Sequence, residues 1–216
     1  GEIRASIARK VEILRKQVAS DQAGDDGAGG NGISEDGASK GVPPEARKIQ
    51  ITKDPEICNA ANTEIQEVLV GESGGLANVV IEVTGIDPPD EEEWAWKKPA
   101  EGYVLRQKDC GFSPPLLVMP NGATVKVFND DPVAHNVNSG AWNVMQAKDA
   151  AAVEKPVEAL SPIRVSCNIH SWMETWIYPA QSPYFAVTDK NGKFAIKNVP
   201  PGKYRVSVWH SNLGKK

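Results

Sequence analysis

Thr188-Asp-Lys-Asn-Gly192-Lys-Phe-Ala-Ile196 and Pro200-Pro-Gly202-Lys-Tyr-Arg-Val-Ser-Val-Trp209 decide the fold class of this chain. In the second stretch Tyr204, Val206 and Val208 alternate with Arg205, Ser207 and Trp209, the period of a half-buried strand. Asp189–Gly192 and Pro200-Pro-Gly202 are turn chemistry, with glycine free to take positive φ and proline pre-setting its own. The tail therefore predicts strands over Tyr184–Thr188, Lys193–Ile196 and Lys203–Trp209. Working back, the same signals recur in Ile163–Val165, Thr124–Phe128, Leu116–Met119, Tyr103–Gln107, Asn78–Val83 and Glu67–Val70, with a short edge strand at Ile49–Thr52. In Thr124-Val-Lys-Val-Phe128, Val125 and Val127 share one face and Phe128 takes the other. Pro120-Asn-Gly122 turns Leu116–Met119 into that strand. Trp142–Pro156 reads as a loop with a helical turn, and residues 85–102 as a polar excursion. The sum is an all-β, antiparallel Greek-key β-sandwich.

The chain before Pro43 differs. Ile3, Ile7, Val11, Leu14 and Val18 form a narrow apolar stripe on a basic helix over residues 1–20, suited to packing on the body, pairing with another helix, or lying on a membrane surface or a partner subunit. Residues 21–42 are rich in Gly, Asp and Ser and read as a flexible linker. Their carboxylates lack the ordered spacing of a calcium loop. Residues 43–216 form the globular part.

With 24 basic and 28 acidic residues, the net charge is −4 and the pI about 5.5, which argues against nucleic acid as a partner. No apolar run is long enough for a transmembrane helix. Neither a Ser/His/Asp set nor a Gly-x-Ser-x-Gly motif is present, so the expectation is that the chain is not an enzyme.

The chemistry lies in Cys167-Asn-Ile-His170-Ser-Trp-Met173. A thiolate, an imidazole and a thioether share one short loop, and Asp131-Pro-Val-Ala-His135-Asn136 offers a second imidazole. Each of these residues alone is explained by core packing or surface exposure. Together, His135, Cys167 and His170 with a weak axial Met173 suit copper cycling between two oxidation states. The Asn136 amide is placed to hydrogen-bond the cysteine loop and lock the halves together. Trp172 is a candidate for core packing beside the site or for an apolar docking patch. Zinc fits Cys and two His but gains little from Met. A single cysteine in the loop disfavours a binuclear centre. His210 is expected to be structural or on the surface. The three cysteines are an odd number. All are free, or two pair and the third does something else. With Cys167 kept as a ligand, the favoured pairing is Cys58–Cys110, which implies an exported, oxidising location.

These residues carry a resemblance. The chain resembles the cupredoxins, type 1 blue-copper proteins, with an amicyanin-like Cys-x-x-His-x-x-Met loop. From about residue 43 it is similar to bacterial cupredoxin-like or methylamine-utilisation-like proteins. The matching blocks are Lys53-Asp-Pro-Glu-Ile-Cys58, Gly75–Val80, Asp109–Pro114, Asn129–Asn136 and the Cys167 loop. The tail resembles a transthyretin-like segment. The resemblance implies one copper ion held by His135, Cys167, His170 and Met173. It also implies periplasmic or other cell-envelope export, and one-electron exchange with a redox protein such as a c-type cytochrome or a membrane redox complex. Two other functions stay open: a non-redox envelope scaffold subunit, and copper storage or delivery.

Overall fold

The computed structural model describes residues 44–58, 64–72, 74–86 and 98–215. The helix over 1–20, the linker and most of the acidic loop lie outside them. Strands dominate the described residues, and the all-β class holds. In chain order they are β1 (Arg47–Lys48), β2 (Glu64–Ile65), β3 (Val80–Thr84), β4 (Tyr103–Lys108), β5 (Gly111–Ser113), β6 (Leu116–Pro120), β7 (Thr124–Asn129) and β8 (His135–Asn138). There follow β9 (Asn143–Gln146), β10 (Val153–Pro156), β11 (Ile163–Ser166), β12 (Glu174–Ala180), β13 (Phe185–Val187), β14 (Arg205–His210) and β15 (Gly214–Lys215). One helical turn, α1, spans Pro55–Cys58. No described helix is long and apolar enough to cross a membrane.

The chain divides into two compact units. The first, Arg47–Ile65 with Pro88–Pro183, carries the cysteine loop. Its two main sheets have the orders β10-β7-β4-β5 and β6-β12-β11-β8-β9, beside the small β1-β2 pair. Pairing is antiparallel except at β4–β7 and β6–β12, which are parallel, so both main sheets are mixed rather than purely antiparallel. Leu105, Val125, Val127 and Val153 from one sheet and Met119, Val137, Val165 and Ile177 from the other join a single buried core. The alternation read from Thr124–Phe128 explains this: Val125 and Val127 are fully buried, while Phe128 is not. Gln107 and Gln146 are also buried: Gln107 Nε2 donates to Gln146 Oε1 at 2.7 Å, and Gln146 Nε2 donates onward to the Val127 carbonyl.

The second unit holds the sheet β13-β3-β14-β15. Here β3 pairs along its length with β14, placing Val80, Ile81, Val83, Val206 and Val208 in buried positions. Two predicted strands of this unit are absent. Lys193–Ile196 follows its turn, where the Asp189 amide donates to the Lys193 carbonyl at 2.9 Å, but forms no ladder because β13 pairs with β3 instead. Glu67–Val70 contributes only a Val70–Leu76 bridge. In the first unit, the loop expected over Trp142–Pro156 contains β9 and β10, and the expected edge strand at Ile49–Thr52 is displaced to β1. Strand β12, unread in the sequence, is central because it pairs with both β6 and β11.

Candidate metal centre

Two neighbouring strands present the site. Strand β8 opens with His135, and β11 runs antiparallel to it with Ser166 opposite Asn138. Cys167 therefore leaves β11 beside β8, and the chain closes on itself at once. The Cys167 amide donates to the Met173 carbonyl at 3.2 Å, and the Met173 amide to the His170 carbonyl at 2.9 Å. Such backbone bonds fix a loop whose side chains must converge. The Cys167 sulfur accepts the backbone N–H of Asn136 and of His170, each at 3.4 Å. Donors at sulfur stabilise a thiolate and tune any metal it binds. The Asn136 amide oxygen accepts the Asn168 N–H, and its nitrogen donates to Asn143, so this side chain ties β8 to the cysteine loop and to β9.

His135, Cys167 and His170 come together, with one ligand atom of each lying within 4.8 Å of the others. The His135 Nδ1 and His170 Nδ1 atoms face each other at 2.9 Å, and Cys167 Sγ lies 3.8 Å from His170 Nδ1. Both imidazoles are at 0% exposure, so water reaches neither. Met173 is buried at the end of the same loop. Trp172 is not a surface patch: it is buried, its ring meets His170 edge-on at 5.2 Å, and its Nε1 donates to the Cys110 carbonyl at 3.1 Å.

Sequence reading missed two carboxylates. Asp131 Oδ2 lies 2.8 Å from His135 Nε2, and Asp54 Oδ2 lies 2.9 Å from His170 Nε2. A carboxylate can only accept, so each imidazole donates from Nε2 and turns the Nδ1 lone pair inward. Asp131 sits four residues before His135, a spacing that could have drawn notice. Asp54 is 116 residues from His170, and nothing in the sequence joins them. Burial pushes the His135 pKa below its ordinary value, with the hydrogen bond to Asp131 working against that. A neutral imidazole is the form that ligates metals.

Cys58 and Cys110 are joined in a disulfide, and Cys167 is free and buried. His210 lies in the second unit on β14, buried rather than on the surface. Its Nδ1 accepts the Asn212 amide at 3.2 Å, and burial lowers its pKa to about 4.

Proton counting tests whether these donors fit a metal. Two neutral imidazoles carry two N–H groups. Three close contacts need one each: His135 to Asp131, His170 to Asp54, and the Nδ1–Nδ1 pair. With both protons held on Nε2 toward the carboxylates, the Nδ1 lone pairs point at one another, beside a sulfur. A cation shared by these three atoms resolves that conflict, so the donor set fits a soft or borderline metal ion.

Comparison with known proteins finds partial likenesses. A family model described as polysaccharide lyase family 4, domain II, matches residues 159–215. Rhamnogalacturonate lyase B of Emericella nidulans is 30% identical over 84 residues, which is 38% of this chain but only 13% of that protein. Cupredoxins are among the structural neighbours. A purple cupredoxin from Nitrosopumilus maritimus is 21% identical with a TM-score of 0.34, over 36% of this chain and 99% of its own. Amicyanin from Paracoccus versutus is 23% identical with a TM-score of 0.33, over 46% of this chain and 96% of its own. A copper-containing nitrite reductase from Thermus scotoductus is 16% identical with a TM-score of 0.33, over 44% of this chain and 27% of its own.

Proposed function

We propose that this chain is an exported mononuclear copper protein that passes single electrons between redox partners. The observation that carries the reading is the convergence of two inward-facing Nδ1 atoms on one buried cysteine sulfur. His135, Cys167 and His170 would hold the ion, with Met173 from the same loop as the weak axial donor. Bound copper supplies a one-electron couple at a site whose ligands need not move between oxidation states. The residues supply the rest. The Asn136 and His170 amides hold the sulfur, and Asp131 and Asp54 hold the rings. The packed interior excludes water. In this reading the chain is an electron carrier rather than an enzyme.

Electron transfer is favoured over storage or delivery by burial. A delivery site must exchange its metal, whereas both imidazoles here are fully enclosed. The Cys58–Cys110 disulfide supports an oxidising compartment, periplasmic or otherwise exported. The redox partner would be a protein such as a c-type cytochrome or a membrane redox complex, and the helix over 1–20 a tether to it. Copper titration followed by a visible spectrum tests the reading. One copper per chain and an intense thiolate-to-copper band are expected. A chain that takes up no copper would sink it.

A further inference from the structure

The outer nitrogens of both imidazoles are held by one connected structure. Asp131 is gripped by the turn between β4 and β5: the Asp109 amide donates to Oδ1 at 2.7 Å and the Cys110 amide to Oδ2 at 2.9 Å. The same Oδ2 receives His135 Nε2. Asp109 and Cys110 both adopt positive φ, 52° and 54°, which aims their amides at this carboxylate. Cys110 is bonded to Cys58, the last residue of α1. Asp54 directly precedes that turn, and its carbonyl accepts the amides of Ile57 and Cys58. Its side chain instead reaches His170 Nε2. The paired sulfurs of Cys58 and Cys110 lie within 4.8 Å of a ring nitrogen of His170, and the Cys110 sulfur lies equally near Asp131 and His135. Trp172 ties the ligand loop to the same Cys110 carbonyl.

Asp54 stands between Ile49 and Ile51, which pack on the core, and Cys58, whose disulfide ties the following helical turn to Cys110. That turn is four residues long, and the Asp54 side chain is 25% exposed. The Asp131 carboxylate accepts two backbone amides besides the imidazole, and its own amide donates to Asn129 Oδ1 at 3.1 Å. We propose that Asp54 and Asp131 are positioning residues of the metal centre, and that the Cys58–Cys110 disulfide bolts Asp54 onto His170. The assignment rests on the copper reading above and deepens it. Each carboxylate fixes the proton on Nε2, directs Nδ1 inward and places a negative charge behind its ring. The bolt closes the His170 side against exchange of the ion.

The test uses the whole chain loaded with Cu(II), as parent, Asp54→Asn, Asp54→Ala and Cys58→Ser/Cys110→Ser. Copper transfer to a chelator and the reduction potential are measured. Asp54→Ala should release copper roughly 10–100-fold faster, and its potential should rise because oxidised copper loses a nearby negative charge. Asp54→Asn keeps an acceptor for Nε2, so it should restore most of the retention while keeping the raised potential. The disulfide variant should release copper as Asp54→Ala does. If circular dichroism shows that this double variant does not fold, the Asp54 pair decides alone. Release within twofold of the parent and an unchanged potential in Asp54→Ala would overturn the assignment while leaving the copper reading intact. A parent chain without the visible band overturns the copper reading and, with it, this one.

Discussion

Both units of this chain bury histidine completely, and they use it in opposite ways. In the first unit His135 and His170 each have a carboxylate behind the ring and a sulfur in front. In the second, His210 sits on β14 among buried valines, and its Nδ1 accepts one backbone amide. Burial alone disfavours the charged ring, and that is the whole cause of the low His210 pKa. A carboxylate at Nε2 adds direction, since it decides which nitrogen keeps its lone pair. Burial thus disfavours the charged ring, and an outer acceptor decides which nitrogen faces inward.

The sharpest way to break this contrast is to remove the sulfur. Cys167→Ala should abolish the visible band and leave two imidazoles that bind copper weakly, whereas His210→Leu should leave the band unchanged. Absorbance of copper-loaded protein checks both. A band that survives in Cys167→Ala would show that the sulfur is not a ligand.

The next effect concerns His210 and pH. Its folded pKa of about 4 lies below the ordinary value of 6.5, so between these values the unfolded chain binds more protons. The stability from keeping it neutral is fully present above about pH 6.5 and is lost as pH falls towards 4. At 1.36 kcal/mol per pKa unit, the loss is on the order of 3 kcal/mol. Denaturant titrations of parent and His210→Leu at pH 7 and pH 4 should show that much less acid destabilisation in the variant. Equal pH dependence in the two would mean that His210 is not held neutral by burial.

Smaller effects probe the first unit. Asn136→Ala removes the link from β8 to Asn168 and Asn143, and loss of such buried hydrogen bonds should cost about 1–3 kcal/mol. Chemical denaturation measures that cost, and an unchanged midpoint would remove Asn136 as the lock. Met173→Leu is close in volume and should cost less than about 1.5 kcal/mol. It should keep the colour but raise the reduction potential, as expected when a weak axial donor is lost. A potential unchanged by that substitution would place Met173 in the core only.

Alternation and turn chemistry made β4, β6, β7 and β11 legible, because each has one face in a core and its turns carry Gly, Pro or Asn, while β14 was read from its Pro-Pro-Gly turn and β-forming residues although residues 206–210 are all buried. Strand β9 was not legible: Met145 stands 62% exposed on the outer face while Gln146 is buried on the inner one, so residue polarity runs against the alternation. Strand β12 escaped for a different reason. Ile177, Tyr178 and Ala180 are all buried, and a strand covered on both faces loses its period. The absent strand at Lys193–Ile196 shows that local propensity proposes a hairpin and the competition for β3 decides it.

By itself the sequence determined the donor types. Cys167, His170 and Met173 share one loop, so covalent spacing alone brings them near each other, and His135 was the natural fourth. Only the tertiary structure decided how the rings face. Asp54 reaches His170 across 116 residues because α1 is bonded to Cys110, and Asp131 is aimed by the amides of a turn from another strand pair. Side-chain chemistry is written in the residue, whereas the direction of a lone pair is set by whatever packs behind it, and that depends on contacts no local pattern encodes.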